Sequence, residues 1–147
     1  MEKIWVKVAE NQKELEQCLL LRRKIFTEEK GISAEIEVDE EDHLQSKCEH
    51  FLVFLGENPV GACRCRYIGT NKVKIQRFCV LQDYRRRAVG KNFIKALESY
   101  YQKRGVLWIE IDSKYGVSIF YQKCGYQIRS KVFIEAGVQH VKMEKEI

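Results

Sequence analysis

At 147 residues, with 45% hydrophobic and 32% charged side chains, the chain is sized and composed for one globular domain with a real core. No apolar run reaches the ~18 residues that a bilayer crossing needs, and Met1-Glu2-Lys3-Ile4-Trp5 carries no apolar leader, so the expected location is the cytoplasm, without a membrane partner. A net charge of +5 is too mild and too scattered to announce nucleic acid, and the six cysteines contain no C-x-x-C pair, so reduced thiols and no metal are expected.

In chain order, Ile4–Ala9 alternates and is rich in β-formers, which predicts a first strand. Asn11 followed by Glu14 reads as an N-cap pair. Behind it Leu15, Cys18, Leu19, Arg22, Ile25 and Phe26 recur at helical spacing, giving a helix to about Glu29 that Gly31 ends. Residues 30–47 are acidic and irregular, with room for one short helix. Phe51–Leu55, Val60–Ile68 and Val73–Leu81, separated by turn residues, form an antiparallel meander. Phe93, Ile94, Leu97 and Tyr100 mark an amphipathic helix closed by Gly105. Val106–Ile111 is the next strand, and Val117, Phe120, Tyr121 and Cys124 stripe a short helix closed by Gly125. Tyr126–Ile134 and Val138–Glu144 pair last. Val73 through Ile111 is a βαβ unit, so its two strands are parallel by a right-handed crossover.

The chemistry concentrates where the strand ending in Val80-Leu81 meets the turn Arg85-Arg86-Arg87-Ala88-Val89-Gly90-Lys91. A helix that opens there leaves backbone N–H groups unpaired, with a partial positive charge behind them, and such an end binds phosphate. Three arginines and a lysine crowd the same end.

With this element order, the turn resembles the phosphate turn of the GNAT superfamily of acyl-CoA-dependent N-acetyltransferases, Q/R-x-x-G-x-G/A, with Ala88 where glycine is usual. Val117-Ser118-Ile119-Phe120-Tyr121-Gln122-Lys123-Cys124-Gly125-Tyr126 is similar to the family segment A-x-x-F-Y-x-x-x-G-F/Y. Arg23 to Ile32, continuing through Glu35, Glu37, Asp39, Asp42 and His50, and Phe133 to Met143 resemble the ElaA/YjcF-like subgroup. The resemblance covers most of the chain. It implies an α/β (α+β) fold: a mixed, mostly antiparallel central sheet of roughly six or seven strands with about four helices, in one domain over residues 1–147.

It also implies roles. Acetyl-CoA is the cosubstrate, its pyrophosphate on the amides of Arg86 to Lys91, with Arg85, Arg86, Arg87, Ala88, Val89, Gly90 and Lys91 forming the cradle. The pantetheine arm would run beside the strand holding Phe78, Cys79 and Val80, and the Val80 N–H would polarise the thioester carbonyl. Tyr121 matches the tyrosine that protonates the departing thiolate. Glu110 and Asp112, two apart on one strand face, are the candidates for taking a proton from the amine, against the reading of a hydrated polar face. Cys79 reads as an inert strand thiol. The acidic stretch Glu35 to Asp42 reads either as a solvated charge run or as an attractor of a cationic acceptor. The function expected is acetyl transfer to the primary amine of a small molecule or peptide, with a catalytically weak acyl-CoA sensor or scaffold as the alternative and a homodimer left open.

Overall fold

The structure is a computed structural model and describes residues 3–147. Strand β1 (Ile4–Val8) leads into helix α1 (Gln12–Arg22). Asn11 Oδ1 accepts from the Glu14 amide at 2.9 Å, while Glu14 Oε1 accepts from the Glu10 amide at 2.9 Å, so two orphan donors at the helix start are satisfied. The helical pattern does continue to Glu29 as expected, but Arg23–Glu29 winds as a π-helix. Gly31, at φ +74°, stops it. A short α2 (Ala34–Glu37) follows in the acidic stretch.

The meander is β2 (Cys48–Leu55), β3 (Asn58–Ile68) and β4 (Lys72–Val80). Helix α3 (Val89–Gln102) crosses over to β5 (Trp108–Lys114), and α4 (Ser118–Lys123) precedes the C-terminal strands. The single strand expected over Tyr126–Ile134 is corrected to two, β6 (Gln127–Ile128) and β7 (Phe133–Glu135), both on one edge of β8 (Val138–Glu146). Ser130 Oγ accepts from the Lys142 amide at 2.9 Å in the gap between them, replacing a ladder bond. The eight-stranded sheet runs β1-β2-β3-β4-β5-β8-β6, with β4 and β5 its parallel pair.

Alternation along the strands builds two cores, one per face. Phe51, Val53, Ile75, Val80, Ile109 and Ile111 pack on α3 through Phe93, Ile94 and Leu97, whereas Leu52, Ala62 and Cys79 pack on α1 through Leu15, Cys18 and Leu21. Between them β4 lies close to β3. A Cβ at Gly61 would stand 2.4 Å from the Cys79 carbonyl oxygen and 2.9 Å from Val53 Cγ1, so only glycine fits.

Gly61→Ala should therefore force β3 off β4 and lower stability by about 2–4 kcal/mol, read as a shift of the urea midpoint. An unchanged midpoint would mean the sheet yields at no cost.

Candidate functional site

The site begins with a bulge. Ala62 pairs with Cys79 and Arg64 with Gln76, so Cys63 alone faces both Arg77 and Phe78. Arg77 adopts φ +54°, a left-handed conformation that costs about 1–2 kcal/mol for a non-glycine residue. The parallel pairing of β4 and β5 runs only from Lys72↔Trp108 to Ile75↔Ile111, after which β5 stays with β8. From Gln76 to Val80 the outer edge of β4 therefore faces a wedge rather than a strand, over roughly 16 Å.

Leu81 N–H donates to Val60 O at 2.8 Å across to β3. In an extended strand the next amide back points the other way, so Val80 presents its N–H and C=O to the wedge. Arg85 marks that edge: its Nε donates to Val80 O at 2.9 Å, and its two terminal nitrogens donate to Glu29 at 2.6 and 2.8 Å. Arg85, expected to lend charge to the anion turn, is paired in the structure with Val80 O and Glu29. Its guanidinium is filled by a strand carbonyl and a π-helix carboxylate, which no local pattern announces.

Past Val80, a 3-10 turn (Gln82–Tyr84) leads to α3. Ala88 is the N-cap at φ +60°, ψ +14°, and Arg86 sits at φ +62°. Both take the conformation that glycine would supply more cheaply. No side chain caps this helix start, and the backbone amides of residues 86–91 donate to nothing among the described residues. Arg86, Arg87, Ala88 and Lys91 are exposed, with Arg87 stacked over Tyr84 at 5.4 Å. Val89 is buried in the α3 core, and a Cβ on Gly90 would come within 3.3 Å of Phe120, so Gly90 lets α4 approach the helix start.

Tyr121 lies on the α3 side of the sheet, 9% exposed, with ring centroids 6.3 Å from Phe78 and 5.0 Å from Phe120. Its hydroxyl has no hydrogen-bond partner among the described residues, and burial pushes its pKa up, so it stays protonated. Phe78 stacks on Phe93 at 4.8 Å. Cys79 faces the α1 side, where its thiol donates to Ala62 O and burial raises its pKa to about 12.

Glu110 and Asp112 share the face opposite Tyr121. Glu110 is buried among Lys72, Lys74 and Lys142 at 3.7–3.8 Å. Asp112 Oδ2 meets Lys74 at 2.6 Å, while Oδ1 is buried without a partner. Asp112 follows Ile111, the last residue of β5 paired with β4, and so stands at the wedge. Neither carboxylate is simply hydrated.

In the acidic stretch Glu37, Asp39 and Asp42 are held by arginines, whereas Glu35 and Glu40 are exposed to solvent. Arg22, on the apolar stripe of α1 and fully buried, donates to Glu37 at 2.9 Å and bidentately to Asp42 at 2.7 and 3.0 Å. Arg64 takes Asp39 at 2.7 and 2.8 Å and Asp42 at 3.0 Å. Arg77, in the bulge, reaches Glu37 O at 3.1 Å and its Oε2 at 3.2 Å. Burial raises the Asp42 pKa, but the Arg22 hydrogen bonds outweigh it and the net shift is down. The Arg64 hydrogen bonds hold Asp39 at about 2. His50 Nε2 lies 3.0 Å from Glu41 O, and burial lowers its pKa and keeps it neutral. These arginines escaped sequence reasoning. The one signal was Arg22, a charge on an apolar stripe, which demands a buried partner. His140, stacked on Phe133 at 5.9 Å with Nδ1 on Val138 O, lies in the C-terminal hairpin.

Residues 24–147 match the family model of the acetyltransferase (GNAT) domain. Among curated proteins, the chain is 38% identical over 142 residues to the uncharacterized protein YyaT of Bacillus subtilis (strain 168), covering 97% of this chain and 95% of that one. It is 35% identical over 140 residues to the uncharacterized N-acetyltransferase YjcF of the same organism, covering 95% and 97%. A crystal structure of a candidate N-acetyltransferase from Lactobacillus plantarum superposes with TM-score 0.90 at 27% identity over 97% of each chain. Escherichia coli ElaA shares the fold at TM-score 0.80 and 22% identity, over 99% of this chain and all of its own.

The ionic network has a pH signature. The folded pKa of His50 lies below the ordinary value near ~6.5, so its contribution is full above that value and falls as the pH drops through it. Asp39 adds a second loss of the same sign between pH ~4 and 2. Urea midpoints should decline from pH 7 to 5, and His50→Gln, which keeps a donor for Glu41 O, should flatten that decline. Parallel profiles would remove His50 from the network.

Proposed function

The chain belongs to the GNAT acetyltransferases, and on that premise we propose that it moves an acetyl group from acetyl-CoA directly to a primary amine. The observation that carries the reading is the uncapped amide turn at Arg86–Lys91 placed at the end of β4, where that strand's edge opens onto the wedge. A diphosphate fits the turn because backbone N–H groups, the helix dipole and the side chains of Arg86, Arg87 and Lys91 all favour negative charge. Ala88, small and exposed at the turn, keeps the approach open. An extended pantetheine arm can then pair with the bare edge of β4 as a strand would.

In that pose the thioester carbonyl meets strand amides. The Val80 N–H polarises it and holds the tetrahedral oxyanion, with Phe78 on the same edge beyond Cys79. The amine nitrogen attacks the carbonyl carbon, the C–S bond breaks, and the thiolate takes its proton from Tyr121. Burial keeps Tyr121 protonated, and an unpartnered hydroxyl is available to the sulfur. Asp112, with one oxygen unpaired at the wedge, takes the amine's proton, directly or through water. Glu110, caged by lysines, contributes to the field around it. Cys79 carries no acyl group in this scheme, since it faces away and its pKa of about 12 leaves almost no thiolate at neutral pH.

Arg86→Glu with Lys91→Glu should abolish acetyl-CoA binding in calorimetry, a loss of about 100-fold or more from replacing attraction by repulsion; retained affinity would remove the cradle. Tyr121→Phe should lower kcat about 10- to 100-fold, measured as thiol release with a broad amine panel, while acetyl-CoA affinity stays within about two-fold. Equal kcat would make Tyr121 core packing only. Tight acetyl-CoA binding with no thiol release from any amine would instead favour the acyl-CoA sensor.

A further inference from the structure

We infer that Arg85 and Glu29 form a latch that the donor opens, and that its opening delivers a carboxylate to the acceptor. The inference rests on acetyl-CoA being the donor. In the structure Arg85 spends every guanidinium nitrogen: Nε on Val80 O, and the terminal pair on the two oxygens of Glu29. Val80 is the residue whose edge the donor arm must line, so Arg85 occupies a carbonyl that an amide of the arm would otherwise use. Arg85 also belongs by position to the anion turn, one residue before the bare amides begin.

The latch is light. Arg85 and Glu29 side chains are 34% and 29% exposed, whereas Arg22 and Asp42 are both at 0%. An ion pair in reach of water holds by about two- to five-fold in equilibrium terms. A diphosphate two charges strong can draw the guanidinium away, while the Arg22–Asp42 pair, both side chains out of water, stays closed. The exchange balances: Arg85 gives up one carbonyl and one carboxylate for phosphate oxygens, and Val80 O gains the arm's amide.

Glu29 is then left without its cation at the end of the π-helix. There it lines a cleft of about 410 Å³ with Ile25, Glu28, Leu81, Asp83 and Tyr84, in which the three carboxylates outnumber the one cation, Lys24. Acidic groups over an apolar floor suit an ammonium on a methylene chain. Before the donor binds, Arg85 cancels that charge. The latch thus imposes order: donor first, cationic amine second.

Calorimetry of acetyl-CoA against the whole chain tests the first half. Glu29→Gln and Glu29→Asp both break the bidentate fit, the second while keeping the charge, and each should tighten acetyl-CoA about three- to five-fold. Glu28→Gln, which removes a neighbouring charge outside the latch, should change it less than about 1.5-fold. Unchanged affinity in the Glu29 variants, or equal tightening by Glu28→Gln, overturns the latch in favour of a plain field effect. Failure of the unaltered protein to bind acetyl-CoA overturns the donor reading itself and the latch with it. For the second half, 1,4-diaminobutane should bind the CoA-saturated protein at least about three-fold more tightly than the free protein, with the difference lost in Glu29→Gln. Equal affinity, or no binding in either state, overturns the acceptor role of Glu29.

Discussion

Between Gln76 and Val80 the outer edge of β4 carries amides and carbonyls that no strand satisfies, because β5 leaves it after Ile111 and pairs onward with β8. Backbone groups in a sheet interior are obligatory hydrogen bonders, so an unpaired central edge demands an occupant. In the structure Arg85 supplies part of one. The open edge sets the geometry of everything else: the anion turn stands at its end, Tyr121 lies on one face of the sheet, and Asp112 on the other. An edge strand at the rim of a sheet is a liability. Here the bare edge lies in the middle of the sheet, between the faces covered by α3 and α1.

What keeps the edge in place is an investment in buried charge. Arg22, Arg64 and Arg77 meet Glu37, Asp39 and Asp42 in one connected set, and Arg77 is itself half of the bulge. Such pairs contribute little net stability, since desolvation consumes most of the Coulombic gain, yet removing one partner is costly. Their worth here is positional. They tie α2 and the acidic stretch to the strained residue that turns β4, so Arg77 can hold φ +54° without glycine. The same economy appears at Ala88 and Arg86, left-handed beside the bare amides. Among the described residues, the left-handed non-glycine positions gather along the open edge of β4 and the turn beyond it, with Ala136 in the last hairpin the exception.

Much of the fold was legible in local pattern. The meander, the crossover helix and the parallel pair follow from periodicity, turn residues and chirality, and strand starts differ by only a few residues. The break between β6 and β7 was not legible, because a Ser130 hydroxyl substitutes for the ladder and leaves no compositional trace. The π-winding of Arg23–Glu29 was hidden for a similar reason, since helical spacing of apolar residues over two turns barely distinguishes i+4 from i+5 closure.

The site divides along the same line. The sequence alone determined that a strand runs into a basic turn opening a helix, and which residues stand there, because those are neighbours along the chain and their backbone geometry is local. Tertiary structure alone decided where each charge is spent. Arg85 faces Glu29 across 56 positions, and Arg64 faces Asp39 across 25. Such partnerships depend on which faces the sheet brings together, and a linear pattern holds no record of them until two buried groups must neutralise each other.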